Sequence, residues 1–411
     1  MIREAKQSKT SWQTVPLSEV CDFKPSKDIP RGTVADDADV SFVPMNDLGE
    51  LVKYFEPKEV RKFADVVKNY TYFADGDVLC AKITPCFENG KLGVVSNLEC
   101  GVGFGSSEFV VMRPTPALSA EFLYYYLSRD AFREAGARVM SGAVGHKRVP
   151  KEYFEDLPIP LPPPDEQKRI VAVLDQAFAA LDRARAHAEA NLANAAEMQV
   201  ALLSAAIRDA TLGETESIKL GALCNIARGG SPRPIKKFLT ADENGVNWIK
   251  ISDATASGKF IDVTRERIIK EGVSRSRFVA SGSFLLTNSM SFGRPYILRT
   301  NGCIHDGWLV LEPNYAKVDQ DYLYHLLGSK QIFSEFDCLA AGSTVRNLNI
   351  NLVSNVTVNL PSLQKQREAA KRVESGIEKC SYVALRYHSQ LEDLAALRQS
   401  LLQKAFSGEL A

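Results

Sequence analysis

The sequence predicts a mixed α/β protein with two globular domains, each followed by a long α-helix. The two helices are expected to pair as an antiparallel coiled coil. Three observations predict this: an internal repeat of long period, an apolar seam on a long helix in each copy, and short strand patterns in the segment before each helix. The implied segments are 1–160 and 213–360 for the globular domains, and 161–212 and 361–411 for the helices.

The repeat keeps its register without a gap over some 40 residues. Leu161-Pro162 and Leu360-Pro361, Gln167 and Gln366, and Leu202-Leu203 and Leu401-Leu402 are each 199 residues apart. Looser matches precede them in the same order. They are Val15-Pro16-Leu17 with Ile218-Lys219-Leu220, Gly76 with Gly282, Glu121 to Leu127 with Asp321 to Leu327, and Gly142 with Gly342. Two copies that fold on each other would acquire a pseudo-two-fold axis, with the globular domains at opposite ends.

The helices are predicted from apolar residues at spacings of three and four. Residues 165–209 form the first, with Asp165 as its cap, and span about 68 Å at 1.5 Å per residue. The seam includes Met198, Val383 and Leu397. The residues chosen as helix-pairing are Leu174, Phe178, Leu181, Leu192, Leu202, Val373, Ile377, Leu391, Leu394 and Leu401. Pairing with a second copy of the chain is the alternative; two matched seams in one chain favour an intramolecular pair.

The globular domains combine strands with one longer helix each. In the first domain the helix runs from Ser119 to Ala135 and ends before Gly136; in the second it runs from Asp319 to Ser329. The predicted strands are 40–43, 77–83, 108–112, 246–251, 283–286 and 307–311.

Composition indicates an ordinary globular chain. Of 411 residues, 45% are hydrophobic, and no apolar run approaches the roughly 18 residues of a membrane span. The first residues lack the apolar core of a signal peptide, so we expect a cytoplasmic protein. The eight cysteines are scattered without a C-x-x-C pair, which predicts reduced, mostly buried thiols and no metal site.

Charge argues for local rather than global attraction to nucleic acid. The 50 basic and 50 acidic residues cancel, whereas a typical nucleic-acid-binding domain is basic. Three stretches are locally basic, namely 146–151, 225–240 and 265–277. A solvated face explains each stretch by itself.

Polar loops follow the glycine-led strands at matched places in both copies, at 82–91 and 287–294. Lys, Arg, Asn, Ser and Thr side chains can pair with phosphates and base edges. Ordinary loop polarity explains either loop alone, but their matched position favours binding. The candidate DNA-binding residues are Lys82, Thr84, Asn89, Lys91, His146, Lys147, Arg148, Arg228, Arg233, Lys250, Thr287, Asn288, Ser289, Arg294, Arg346 and Asn347.

The motifs of catalysis are missing, so no catalytic, cofactor-binding or metal-binding residue is predicted. Gly101 to Gly105 precedes a predicted strand, whereas a dinucleotide loop opens a helix. No methyltransferase signature or P-loop occurs, and Pro164-Asp165 to Lys168 carries its carboxylates together at a helix start, unlike a nuclease site. His305-Asp306 fits ordinary hydrogen bonding better than an acid/base pair.

The duplicated order of motifs resembles the Type I restriction–modification specificity subunits over essentially the whole chain. The residues that carry the resemblance are Leu157-Pro-Ile-Pro-Leu-Pro-Pro-Pro-Asp165-Glu-Gln167, Val358-Asn-Leu-Pro361 with Gln364-Lys-Gln366, Asp75-Gly-Asp-Val-Leu79, Ser141-Gly142 and Phe406-Ser-Gly408-Glu-Leu410. The second copy departs from the pattern with Ser281-Gly-Ser283 in place of Asp75-Gly-Asp77, and with a shorter proline run.

The resemblance implies two target-recognition domains that each read half of a split site in double-stranded DNA, with the paired helices as spacer. It implies two modification subunits as partners, which bind S-adenosylmethionine and methylate adenine, and restriction subunits that use ATP and Mg²⁺. The chain itself would carry no cofactor. The rival interpretations are a stand-alone DNA-binding regulator, a coiled-coil scaffold and, least favoured, a complete methyltransferase.

Overall fold

The computed structural model describes residues 12–143, 145–289, 292–340 and 347–410. It divides into two compact units. The first unit contains residues 1–188 and 389–411, and the second contains residues 189–388. Each unit therefore holds one globular domain and a stretch of both long helices.

In the first unit, short strands and helices precede the long helix. The strands are β1 Gln13–Pro16, β2 Cys21–Asp22, β3 Asp39–Val43, β4 Glu59–Lys62, β5 Thr71–Ala74, β6 Val78–Ala81, β7 Leu92–Val94, β8 Val102–Gly105, β9 Phe109–Pro114 and β10 Pro158–Leu161. The helices are α1 Leu17–Val20, α2 Asp28–Thr33, α3 Phe63–Val66, α4 Ala120–Leu127, α5 Asp130–Val139 and α6 Lys151–Glu155, with a 3₁₀ turn at Glu99–Gly101.

The second unit repeats this order after the helix α7 Pro164–Ala210. Its strands are β11 Glu216–Lys219, β12 Cys224–Arg228, β13 Leu239–Thr240, β14 Val246–Ile249, β15 Phe260–Ile261, β16 Glu266–Ile268, β17 Arg277–Val279, β18 Phe284–Thr287, β19 Pro295–Leu298, β20 Gly302–Ile304, β21 Trp308–Pro313 and β22 Thr357–Leu360. Its helices are α8 Leu220–Leu223, α9 Ile251–Thr255, α10 Lys270–Val273, α11 Gln320–Leu327, α12 Lys330–Ala340 and α13 Ile350–Asn355, with a 3₁₀ turn at Ile235–Lys237, before the final helix α14 Leu363–Phe406.

The sheets of the two units have the same plan. One sheet runs β2-β9-β6-β7 in the first unit and β12-β21-β18-β19-β15 in the second. The other runs β4-β3-β8-β5 and β13-β16-β14-β20-β17, with a parallel pair between β3 and β8 and between β14 and β20. The inner strands β6 and β18 are buried at every residue, as continuous apolar runs should be. The predicted internal repeat of mixed α/β domains is confirmed.

Each globular domain is joined to the start of its long helix by the same two features. A two-stranded ladder pairs β1 with β10, and another pairs β11 with β22. Gln167 is 1% exposed, accepts a hydrogen bond from the Ser119 backbone N–H at 2.8 Å and donates to the carbonyls of Ala117 and Pro162. Gln366, 0% exposed, has the equivalent partners in the second unit, at Asp319, Lys317 and Pro361.

The long helices pack against each other in antiparallel directions within both units. In the first unit, Asp182 lies 2.9 Å from Arg398, and Arg169 donates to the carbonyl of Leu410. The second unit has Asp209 2.9 Å from Arg372, and Lys365 donating to the carbonyl of Leu212 at 2.9 Å. Rising residue numbers on α7 meet falling numbers on α14, so the predicted intramolecular antiparallel pair is confirmed.

Several sequence-based boundaries need correction. The helix predicted over residues 119–135 breaks after Leu127, where the Ser128 hydroxyl donates to the Tyr124 carbonyl at 2.7 Å, and α5 begins at Asp130. Gly136 does not end the helix but lies inside α5. Glycine is needed there because a Cβ would come 2.3 Å from the Phe87 ring. The strand predicted to reach Ile251 ends at Ile249, and Ile251 begins α9.

The seam of the long helices is also narrower than predicted. Asp165 lies one residue inside α7 rather than at its cap, since the helix begins at Pro164. Met198, Val383 and Leu397 are 61%, 41% and 47% exposed. An α-helix has 3.6 residues per turn, so a pattern of threes and fours drifts away from the line of contact.

Candidate nucleic-acid interface

The same backbone hydrogen bonds build one edge of both globular domains. After β6, the Lys82 N–H donates to the Glu108 carbonyl at 3.0 Å and the Lys82 carbonyl accepts from Val149 at 2.9 Å. After β18, the Asn288 N–H donates to the Gly307 carbonyl at 3.0 Å and the Asn288 carbonyl accepts from Leu348 at 2.8 Å. Positions 82, 107, 108 and 148 of the first unit therefore correspond to positions 288, 306, 307 and 347 of the second.

The first unit has a basic cleft at this edge, with a volume of about 880 Å³. Aromatic rings at Tyr70, Tyr72 and Phe109 also line it, and Asp28 is the acidic residue of the lining. The basic side chains around it are Lys24, Lys27, Arg31, Lys82, Arg148 and Lys151. Such a ring of ammonium and guanidinium groups can attract the phosphates of nucleic acid.

Only Lys82 and Arg148 of this cleft were predicted from the sequence. Lys24, Lys27 and Arg31 lie on a separate segment, and the fold brings that segment to the strand ends. A signal was present, since residues 24–31 carry three basic residues against one acid. Lys27 donates to the Val67 carbonyl at 2.9 Å, and burial, together with the nearby Arg31, lowers the pKa of its ammonium.

Arg148 is held at the rim of the cleft by Glu108. Two hydrogen bonds of 2.9 and 2.7 Å join the guanidinium to the carboxylate. The hydrogen bonds from Arg148 lower the pKa of Glu108, so this carboxylate stays ionised at neutral pH. Lys82 donates from Nζ to the Ser107 carbonyl at 3.0 Å. The geometry therefore fixes the direction in which both cations face solvent.

The other candidates of the first unit lie around this edge in differing states. His146 and Lys147 are exposed on a loop whose ends pair Ser141 with Arg148. Thr84 donates to Glu88 at 3.0 Å, and Asn89 donates to Glu50 at 3.1 Å.

Lys91 is turned inward. Its Nζ donates to the carbonyls of Met45 and Leu48 at 2.8 and 3.0 Å, and the residue is only partly exposed. The ammonium therefore connects two loops, and a contact between Lys91 and DNA stays a prediction that requires these bonds to open.

The second unit has a cavity of about 890 Å³ at the equivalent edge. It is lined by residues from four segments, among them Arg228, Lys250, Ser289 and Asp306. The Ser231 hydroxyl donates to Asp306 at 2.5 Å, and this bond lowers the pKa of the carboxyl. Arg233 lies 3.3 Å from the same carboxylate, while Lys250 lies 2.8 Å from Glu266. This edge is therefore of mixed charge, unlike the cleft of the first unit.

His305 closes the inner side of this cavity. Burial lowers the pKa of its imidazole below the ordinary value, so the ring is neutral at pH 7. Its Nδ1 accepts from the Gly307 N–H at 2.8 Å. This bonding accords with the sequence-based view that His305 and Asp306 are satisfied structurally rather than arranged as an acid/base pair.

Two candidates of the second unit are buried. Thr287 is 0% exposed and Asn288 is 1% exposed. Asn288 donates from Nδ2 to the Asp306 carbonyl at 3.0 Å. Its buried Oδ1, like that of Asn347, has no hydrogen-bond partner in the described part of the chain. Arg294 is exposed beside them, and Arg346 lies outside the described residues. These DNA contacts stay predictions.

The residues predicted to pair the helices range from fully buried to half-buried. Leu174, Phe178 and Val373 are 0%, 3% and 1% exposed. Leu202 packs directly over Gly376, where an added Cβ would meet its side chain. The remaining ones are half-buried, namely Leu181, Leu192, Ile377, Leu391, Leu394 and Leu401.

The described residues contain neither a cluster of metal ligands nor a membrane-spanning helix. His, Cys, Asp and Glu side chains nowhere gather there in the groups of three or more that a metal ion needs. Across the same ranges, every helix is too short or too polar to span a lipid bilayer. Cys21, Cys80, Cys224, Cys303 and Cys380 are buried, whereas Cys86 is partly exposed and Cys100 and Cys338 are exposed.

Known proteins share this architecture. Over 166 residues the chain is 37% identical to the EcoEI specificity subunit of Escherichia coli, a Type I restriction enzyme subunit; the match covers 40% of this chain and 27% of that relative. The matched segment thus spans less than a third of the length of each of the first two curated relatives. The HsdS subunit from Thermoanaerobacter tengcongensis has the same fold, with 18% identity over the whole of both chains and a TM-score of 0.67.

A second solved structure gives a closer superposition. It comes from work on complex assembly and conformational transition of the type I R-M system, with a TM-score of 0.79 and 19% identity over 97% of this chain and 98% of that chain. The sequence profile of the Type I restriction modification DNA specificity domain matches residues 9–190 and again residues 213–381. This chain, with its duplicated domains and paired helices, therefore belongs to the Type I restriction modification DNA specificity domain family.

Proposed function

We propose that this chain is the DNA-reading specificity subunit of a Type I restriction–modification complex and does no chemistry of its own. Each globular domain binds one half of a split site in double-stranded DNA. The observation that carries this proposal is the repeated edge, which has one backbone frame and different side chains. Lys82, Ser107 and Arg148 stand in the first unit where Asn288, Asp306 and Asn347 stand in the second.

Unlike side chains on a common frame suit two unlike half-sites. Lys and Arg supply affinity through phosphates, and polar side chains choose among base edges. The cleft of the first unit offers mainly cations, so its half-site contacts are expected to be the more sensitive to salt. The second edge adds the ionised Asp306, which can accept a hydrogen bond from a base amino group.

The partners of the proposed complex are two modification subunits and the restriction subunits. S-adenosylmethionine, ATP and Mg²⁺ would bind to those partners, and none to this chain. Large apolar side chains on the long helices support docking there, because Met198, Tyr382 and Leu385 are 61%, 63% and 66% exposed. The proposed segments are target-recognition domains at 1–160 and 213–360 and spacer helices at 161–212 and 361–411. A DNA-reading subunit would work in the cytoplasm, beside its DNA.

Co-expression with the modification subunit of the same operon tests the proposal. The complex is isolated by a tag on this chain, and the methylome of the host is sequenced with and without the gene. We expect a stable complex and one split adenine-methylated motif that disappears on deletion. An unchanged methylome would refute the proposal.

The same experiment separates the rival functions when DNA binding at several salt concentrations and methylation by the isolated chain are measured beside it. A stand-alone regulator would bind one DNA sequence tightly without partners and leave methylation unchanged. A scaffold would form complexes without salt-dependent DNA binding. Methylation by the isolated chain would indicate a complete methyltransferase.

A further inference from the structure

One charged contact is built twice between a globular domain and a long helix. In the first unit, Lys53 Nζ lies 2.6 and 2.8 Å from the two carboxylate oxygens of Asp175 on α7. In the second unit, Lys259 Nζ lies 2.5 Å from Asp321 and also contacts Glu374 on α14. We call these contacts the first and second latch.

The two lysines occupy equivalent places in the fold. The Lys53 carbonyl accepts from the Val94 N–H at 2.7 Å, and the Lys259 carbonyl accepts from the Ile297 N–H at 3.0 Å. The next residue in each case pairs in parallel with that same partner strand, Tyr54 with Val94 and Phe260 with Ile297. Asp175 and Glu374 are in turn 199 residues apart, which is the offset of the helices.

Aromatic rings surround both ammonium groups. Lys53 Nζ lies 5.3 Å from the ring centre of Tyr54 and 5.1 Å from that of Tyr125. Lys259 Nζ lies 5.3 Å from Phe260 and 5.2 Å from Tyr324. The lysine side chains are only 17% and 15% exposed. An ammonium enclosed by two rings and a carboxylate has one favourable position, because a shift of a few ångströms breaks its hydrogen bonds to the carboxylate and its contacts with the rings.

Apolar packing alone would fix the position of a domain on a helix less closely, because it has no preferred direction. Replacing an ion pair by well-packed apolar residues often leaves the free energy of unfolding unchanged or raises it. The stability of the fold therefore does not explain why charged residues occupy these positions. A partly buried ionic contact with defined geometry is better suited to fixing one register between two elements. The adjoining edge residues differ between the units, yet both units have the lysine, the aromatic pair and the helix carboxylate.

We propose that Lys53 and Lys259 are positioning residues that fix the angle of each DNA-reading domain on its own long helix. By this means they restrict the spacer length that the complex accepts between the two half-sites. The inference rests on the proposed function. A change of spacer by one base pair also rotates the second half-site around the DNA axis, so a domain held at one angle rejects it.

The test uses the complex of this chain with its modification subunits. DNA duplexes carry both half-sites with spacers that differ one base pair at a time, and adenine methylation is read by sequencing. We expect one accepted spacer for the unmodified chain. For the Lys53→Met, Lys259→Met double variant, the discrimination against a neighbouring spacer should fall about tenfold, as expected for loss of a desolvated ammonium between aromatic rings. The half-site sequences should not change.

Matched variants separate positioning from folding. Asp175→Glu gives the first latch the carboxylate of the second and should keep the spacer preference, whereas the isosteric Asp175→Asn should relax it. Lys62→Met removes a lysine of the same unit that pairs with Asp39 at 2.9 Å on the surface, and should change nothing. Thermal melting identifies any variant that fails to fold. If the double lysine variant fails to fold, the result for Asp175→Asn decides.

Two failures are distinguishable. If the unmodified complex methylates no split motif, the proposed function is wrong. If it methylates one split motif and both Asp175→Asn and the double lysine variant keep the same single spacer, the function stands and the positioning role is overturned.

Discussion

Residue by residue, the edge proposed to bind DNA contains both side chains that face solvent and side chains that hold the loops. Arg148 and Arg294 are exposed, whereas Lys91 and Asn288 satisfy carbonyls inside the fold. The sequence does not make this distinction, because a lysine or asparagine in a polar loop can either face solvent or bond to carbonyls inside the fold. The exposed residues are therefore the informative ones to change.

Arg148→Ala is expected to weaken binding to the first half-site about tenfold, since a guanidinium can contact a guanine or a phosphate there. Binding to the second half-site should not change. Fluorescence anisotropy with duplexes mutated in either half measures both effects, and Arg183→Ala on the exposed face of α7 is the control. Equal losses on both half-sites would contradict the prediction.

Arg294→Ala should instead weaken chiefly the binding to the second half-site. Its side chain is exposed, while its backbone N–H donates to Thr287 at 3.0 Å, a bond that alanine retains. The loop should therefore keep its shape. Footprints over both half-sites measure the effect, and footprints identical to those of the unmodified chain would count against it.

At the scale of elements, the long helices were predictable and the joints between elements were not. The helices follow from a gapless apolar pattern, which α7 and α14 bear out over 47 and 44 residues. The break between α4 and α5 carries no proline, and its one signal is a serine that bonds back to the preceding turn. The basic cleft was only partly predicted because the segment of Lys24 and Arg31 is remote in sequence from Lys82.

Charged residues at Leu192 and Leu391 are expected to disrupt the helix pair. Both positions are half-buried, and a lysine there should cost about 1–3 kcal/mol and lower the melting temperature by several degrees. Val200→Lys and Leu397→Lys, at exposed positions of the same helices, are the matched controls. Melting curves and retention of the modification subunit provide the readout; equal behaviour of both pairs would disprove the predicted role.

For the whole molecule, the two units should differ in their response to acid. Burial is the main cause that lowers the pKa values of His305 and His325, and both belong to the second unit. Unfolding restores the ordinary pKa of 6.5, so the unfolded chain binds protons first as the pH falls. The stabilisation from a neutral histidine is therefore present above that pH and is lost below it.

We expect the second unit to melt earlier than the first as the pH is lowered from 7.5 to 5.5. Scanning calorimetry of His305→Asn and His325→Asn should show a weaker pH dependence than the unmodified chain. His187→Asn, at an exposed position of α7, is the control. If the histidine variants keep the full pH dependence, other groups cause it.

The edge proposed to bind DNA is fixed by main-chain bonds at Lys82, Val149, Asn288 and Leu348, and main-chain bonds do not depend on the side chain. Under the proposed function, substitutions at positions such as 107 and 148 would alter the target while the fold persists. On that proposal, a lineage under attack by changing viral genomes would acquire a new methylation pattern in few mutational steps.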